Sequence, residues 1–269
     1  METSHKVGRL AGRIGSILVA TVLGASAAFA QAPAFQPQTG YWEVPNEPNG
    51  RSVVLETKAN GEIYAAVMVY NEAGQPTWFV VNTNTDTANP LSGNMQRFVA
   101  GQNELDGSYS VNYFDGFKGL VTFNFDSPTT GTMTWPTGSV RIARTNFVPN
   151  GVGSGPQAGA PRGGWWWNAS ESGRGYFIEV QNDQMTFAAA LYDALDQPVW
   201  FISRGAMLSP TVYSGEFLIT YGGMTLDGAY KRPNEFWTRG NFTVQFTSDD
   251  TAVLTMPDGH QVPITRYTF

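Results

Sequence analysis

The chain contains no cysteine, so neither a disulfide framework nor thiol chemistry is open to it. Histidine is nearly as scarce: of the 2 present, His5 lies in a basic N-terminal segment and only His260 falls in the body of the chain. Zinc chemistry built on Cys and His is therefore excluded, and no metal site is expected. Basic residues are outnumbered by acidic ones, 16 against 22, and do not cluster, which argues against a nucleic-acid partner. The phosphate-binding loop, the dinucleotide fingerprint and the nucleophile elbow are all absent, so no cofactor is expected either.

What is present begins with a three-part leader. Lys6, Arg9 and Arg13 make a positive start, Ile14 to Ala27 an apolar stretch, and Ala28-Phe29-Ala30 an A-x-A cleavage site before Gln31. Gly15, Ser16, Thr21, Gly24 and Ser26 interrupt the apolar stretch, which falls short of the ~20 residues of a membrane-spanning helix. Residues 1–30 therefore read as a cleaved signal peptide, and the mature chain as periplasmic or secreted, without a lipid anchor or a transmembrane segment. The leader carries three basic residues against one acid, so removing it leaves a charge of about −8.

Self-comparison shows that the rest is written twice, at an offset of about 122 residues. Tyr70-Asn71-Glu72-Ala73-Gly74-Gln75-Pro76-Thr77-Trp78-Phe79 matches Tyr192-Asp193-Ala194-Leu195-Asp196-Gln197-Pro198-Val199-Trp200-Phe201. Gly50-Arg51 matches Gly173-Arg174, Glu56 matches Glu179, and Ile142, Arg144 and Phe147 match Ile264, Arg266 and Phe269. Between the copies, Val148 to Gly163 is half Gly and Pro, the composition of a semi-flexible linker. The expected organisation is thus residues 1–30 signal, 31–39 an N-terminal extension, 40–147 a first domain, 148–163 the linker and 164–269 a second domain.

Each copy reads as all-β. Met185, Phe187, Ala189 and Leu191 share one face of an extended segment and Thr186, Ala188, Ala190 and Tyr192 the other. A helix competes for this alanine-rich stretch, but the first copy carries Val and Ile at matching positions, which favours strand. Turn signals at Asn60-Gly61, Asn182-Asp183 and Asp258-Gly259 separate further alternating segments. Seven to nine short strands per copy suit a small antiparallel meander barrel, with a sandwich as the alternative. An outer-membrane barrel is disfavoured, because the terminal Phe269 has an internal counterpart in Phe147 and the strands are short.

The most distinctive run is Gly164-Trp165-Trp166-Trp167-Asn168-Ala169-Ser170-Glu171-Ser172-Gly173-Arg174-Gly175, followed by Tyr176 to Glu179. Alternation on a strand sends Trp166 to one face and Trp165 and Trp167 to the other, so one set fills a core and the other can form a stacking surface. Glu171, Arg174 and Glu179 lie close enough along the hairpin to form a charge network. That network either closes a barrel end or contacts a ligand. The signature resembles an uncharacterised exported proteobacterial β-domain family with the pattern GWWWNPxESGRGxxxE followed by YDxxGxPxWF. The second copy departs from it at Ala169 and at Leu195-Asp196. The resemblance implies export and architecture but no reaction. The Gly-Trp-Trp-Trp-Asn start on a small meander is also similar to avidin and lipocalin barrels.

His260 sits in the Asp258-Gly259 turn and reads as a solvated turn residue rather than a general base. The expected function is a non-enzymatic binding or interaction module. Its site is expected on the second domain at Trp165, Trp167, Asn168, Glu171, Arg174, Glu179 and Trp200, for a small molecule, glycan or exported protein. The alternatives are a hydrolase of an envelope polymer working through a pair such as Glu171 and Glu179, and a structural or protease-inhibitor-like protein.

Overall fold

Alternating aromatic and β-branched residues favour pleated backbone with one buried face. The segments that carry them are strands in the structure, a computed structural model that describes Met1 and residues 35–83, 90–103 and 108–269. Apart from Met1, the expected signal peptide lies outside the described residues. The first barrel comprises β1 (Gly40–Glu43), β2 (Ser52–Thr57), β3 (Ile63–Tyr70), β4 (Pro76–Asn82), β5 (Leu91–Val99), β6 (Tyr113–Ser127), β7 (Thr130–Trp135) and β8 (Gly138–Arg144). The second comprises β9 (Gly164–Trp167), β10 (Gly175–Gln181), β11 (Gln184–Tyr192), β12 (Pro198–Ala206), β13 (Val212–Tyr221), β14 (Glu235–Phe246), β15 (Thr251–Thr255) and β16 (Gln261–Arg266). Both are closed antiparallel meanders, so barrels rather than sandwiches form. Closure comes where the first strand meets the last: Trp42 faces Arg144 in one barrel and Trp166 faces Arg266 in the other. No helix among the described residues is long and apolar enough to cross a membrane.

The linker is more ordered than its composition suggests. It holds a one-turn helix, α1 (Gly151–Ser154), and docks on the β10–β11 turn. Asn182 N–H donates to the Gly155 carbonyl at 2.7 Å, and Gln157 N–H to the Asn182 carbonyl at 2.8 Å. Glycine frees the chain in isolation, but these backbone bonds give it a fixed path.

Each barrel has its own core. Trp42, Leu55, Val67, Phe79, Phe123 and Met133 pack inside the first, and Trp166, Tyr176, Phe187, Phe201, Phe217 and Phe242 inside the second. A third apolar layer separates them, made by the outward faces of both: Tyr41, Met68, Tyr70 and Trp78 against Trp165, Phe177, Tyr192 and Trp200. Strands β3 and β11 are therefore buried on both faces, which is why polar residues hardly alternate in them. Ala66, Ala188 and Ala190 keep the outward surface low, so the two walls can meet.

Two ribbons tie the barrels together. The β5–β6 pairing runs from Leu91 and Phe123 out to Val99 and Tyr113, whereas β7 pairs with β6 only over Thr122–Ser127. The outer half of the hairpin thus projects past the wall, and Ala100 N–H reaches the Asp196 carbonyl of the second barrel at 2.8 Å. The β13–β14 hairpin does the converse, where Gly222 N–H donates to the Gly74 carbonyl at 2.7 Å. Gly74 and Asp196 occupy the same turn position and both take positive φ, 75° and 62°. Asp tolerates this conformation better than most residues, which explains how the second copy dispenses with the turn glycine.

Truncating Trp166 to Ala removes a fully buried side chain from the second core. Urea unfolding should show a loss of about 3–5 kcal/mol; a loss below 1 kcal/mol would mean that the core does not depend on it. Burial also raises the phenol pKa of Tyr64 and of Tyr176 to about 12. The neutral phenol is thus favoured by folding, and its contribution is complete below the unfolded value of 10.0 and lost as pH climbs from there towards 12. Denaturant titrations with phenolate absorbance should show stability level up to pH 9.5 and falling above pH 10; a flat profile to pH 12 would contradict this.

Candidate functional site

The tryptophan run on β9 divides by parity. Trp166 turns inward, with its indole edge on Phe246 at 5.5 Å and its Nε1–H donating to the Arg162 carbonyl. Trp165 turns to the layer between the barrels, edge to face with Phe177 at 5.3 Å and Tyr64 at 5.6 Å. Trp167 is half-buried and packs on Tyr267 at 4.9 Å. The following loop is braced from within. The Asn168 side-chain oxygen accepts from Ser170 N–H at 3.0 Å, and the Glu171 carboxylate pairs with Arg174 Nη2. Gly173, at a φ of 105°, lets the loop lie against Asn112 of the first barrel.

Between these elements opens a pocket of about 250 Å³. Tyr64, Trp78 and Phe98 contribute from the first barrel, and Trp165, Trp167 and Arg174 from the second. Its walls are mostly indole and phenyl surface, and Arg174, Asn112 and Ser172 are among its polar residues. Arg174 is almost fully covered, its side chain 1% exposed, and its Nε and Nη1 have no hydrogen-bond partner among the described residues.

Arg51 stands at the matching place in the first barrel with an acceptor on each of its nitrogens. Glu47 takes two bonds at 2.7 Å, the Leu226 carbonyl takes Nε–H at 2.8 Å, and the Gly228 carbonyl takes Nη2–H. Leu226 itself enters the core of the first barrel. Sequence reasoning missed this loop, although a signal exists: Leu226-Asp227-Gly228 recurs as Leu105-Asp106-Gly107. Residues 104–107 lie outside the described part of the chain.

Glu179 does not join Glu171 and Arg174. It shares the outward face of β10 with Phe177 and Gln181, so it meets the opposite barrel, where Arg144 holds it at 2.6 and 3.1 Å. Tyr41 N–H and Gln181 Nε2–H donate to the same carboxylate at 2.6 and 2.7 Å. Glu56 repeats the arrangement in reverse, bound by Arg266 at 2.5 and 3.1 Å and by Trp165 N–H at 2.6 Å. All four side chains are below 10% exposed.

The remaining expected site residue, Trp200, lines a second pocket, of about 270 Å³, with Tyr41, Glu43, Tyr70, Arg204 and Phe236. Its Nε1–H donates to the Val69 carbonyl at 3.0 Å, as Trp78 Nε1–H does to the Val199 carbonyl at 3.0 Å. The seven residues expected to form one site are thus distributed. Trp165, Trp167 and Arg174 meet in the first pocket, and Asn168 and Glu171 shape the loop beside it. Trp200 stands in the second pocket, and Glu179 lies in a bridge between the barrels. His260 sits in the β15–β16 turn, with Nδ1 at 2.6 Å from Asp258.

No family model, curated protein or solved structure matches the chain.

Removing one charge from a buried pair strands the other, at about 3–5 kcal/mol. Glu179→Gln should therefore destabilise strongly in urea titrations, while the double variant Glu179→Leu with Arg144→Met should recover most of the loss. If the double variant is as unstable as the single one, the bridge is not the source of the effect.

Proposed function

We propose that the protein is an exported, non-enzymatic binding module whose principal site is the pocket beneath Trp165 and Trp167. The observation that carries this reading is the pocket's lining. Trp78, Trp165 and Trp167 with Tyr64, Phe98 and Tyr267 surround an opening at the junction of two barrels. Small-ligand sites have this character, mostly apolar walls with a few polar groups to orient the guest. Indole faces stack on flat apolar surfaces, so the suited ligand is a sugar ring or an aromatic ring, with Arg174, Asn112 and Ser172 available to its polar edge. Of these walls, Trp167 and Tyr267 are specific to the second copy, since the first copy has Glu43 and Thr145 at the matching positions.

The hydrolase alternative finds less support. A glycosidase pair needs two carboxylates free to exchange protons across a scissile bond. Here Glu171 is paired with Arg174, and Glu179 is held by Arg144, Tyr41 N–H and Gln181. They serve different contacts on different sides of β10.

The test is a thermal-shift and tryptophan-fluorescence screen of the full chain against soluble oligosaccharides and small aromatic compounds. A ligand present at 100 times its Kd stabilises by about 2.7 kcal/mol, which should appear as a rise of several degrees in Tm. Trp167→Ala should abolish the rise while leaving the unliganded Tm nearly unchanged, because that ring is only half-buried. Wild type and variant responding alike to every compound would overturn the reading.

A further inference from the structure

The two pockets occupy corresponding positions, one on each side of the interface between the barrels. Tyr41, Arg51 and Trp200 stand in the second where Trp165, Arg174 and Trp78 stand in the first. At several places the correspondence breaks, and Arg204 stands where the first copy has Asn82. Trp167 faces Thr265 across its barrel seam just as Glu43 faces Ala143, so a carboxylate replaces an indole. Thr220, bonded to the Tyr70 phenol at 2.7 Å, replaces Phe98. The second pocket has therefore kept an aromatic wall and acquired charge.

Glu43 is the unexplained group in it. The side chain is half-buried at the end of β1, and among the described residues no hydrogen bond or ion pair satisfies it. Burial raises its carboxyl pKa, against a smaller opposing pull from Arg204. Arg204, on β12, lines the same cleft without closing on Glu43. Its Nε–H is given to Thr186 Oγ1 at 3.0 Å, and its guanidinium lies over the Phe147 ring at 5.0 Å. The other guanidinium in the cleft, Arg51, already has an acceptor on every nitrogen, from Glu47 and two backbone carbonyls. A carboxylate and a guanidinium that line one cleft without pairing are each open to a guest's charge of the opposite sign.

The geometry points to a second ligand site that takes a small zwitterion of the free α-amino acid type. Its ammonium lies toward Glu43, its carboxylate toward Arg204, and its hydrocarbon side chain against Trp200, Tyr70 and Phe236. A simple amine would be repelled by Arg204 and a simple acid by Glu43, whereas a zwitterion satisfies both at once. The volume of about 270 Å³ suits a guest of this size. Guanidinium favours carboxylates through its paired N–H groups, and an aromatic wall adds attraction for an ammonium.

Isothermal titration calorimetry on the full chain with the twenty free L-amino acids is the direct experiment. It is followed by the amine and the acid that each lack one charge of the best binder; for phenylalanine these are phenethylamine and 3-phenylpropionate. At least one amino acid with an apolar side chain should bind, and both single-charge relatives should bind at least tenfold more weakly. Glu43→Gln and Arg204→Gln should each weaken the amino acid at least tenfold. Glu43→Gln removes no internal bond and should keep the wild-type Tm, so its loss of binding cannot be read as unfolding. Trp167→Ala, which disables the other pocket, should leave amino-acid affinity unchanged, so the two readings succeed or fail separately. No binding by any amino acid, equal binding of the single-charge relatives, or indifference to both charge variants would overturn the assignment.

Discussion

A carboxylate buried between two protein surfaces must find a cation or be driven out of its charged form, and this constraint governs how the barrels meet. Glu56 and Glu179 each leave one barrel and enter the seam of the other, where an arginine and a backbone N–H close on them. The arginines sit opposite Trp42 and Trp166 at the closing seams, so the bridges grip each barrel at the point where its sheet joins itself. Apolar contact alone tolerates sliding, because it has no direction. The two bridges, with the indole-to-carbonyl bonds of Trp78 and Trp200, hold the walls in one register.

The pockets are consequences of that register. Two convex walls touching along their middle leave a cleft on either side, and the projecting β5–β6 and β13–β14 ribbons roof the clefts over. The chemistry of each cleft then follows from a few residues at the ends of short strands. Trp167 and Phe98 make one aromatic, and Glu43, Thr220 and Arg204 make the other mixed in charge. Such positions carry little of the folding energy, since they lie outside both cores. Residues there can therefore differ between the copies while Trp42 and Trp166, or Glu56 and Glu179, stay alike.

Much of the architecture was legible in the order of residues. The alternation of Met185, Phe187, Ala189 and Leu191 marks a strand, and β11 spans that segment. The parity of Trp165, Trp166 and Trp167 separates core from outer surface, and the structure separates them in the same way. Two eight-stranded closed meanders follow from strand count and short turns. The site was less legible. Reading Glu179 with Arg174 treated nearness along the hairpin as nearness in space, although Glu179 lies on the outward face of β10. Glu43 gave no sign of its place, because a lone acid at a strand end is common.

What the sequence determined by itself are the properties set by a residue and its immediate neighbours: pleat, face, turn and the burial preference of bulky rings. What only the tertiary structure decided are the partnerships between residues far apart in the chain. Arg266 reaches Glu56 across 210 positions, Arg51 takes the carbonyl of Leu226, and Trp200 lies apart from Trp165 although both read as one surface. The physical reason is that periodicity specifies which way a side chain points within its own sheet. The surface it meets is selected by how two finished barrels fit, and that depends on the small alanines, the paired charges and the reaching ribbons acting together.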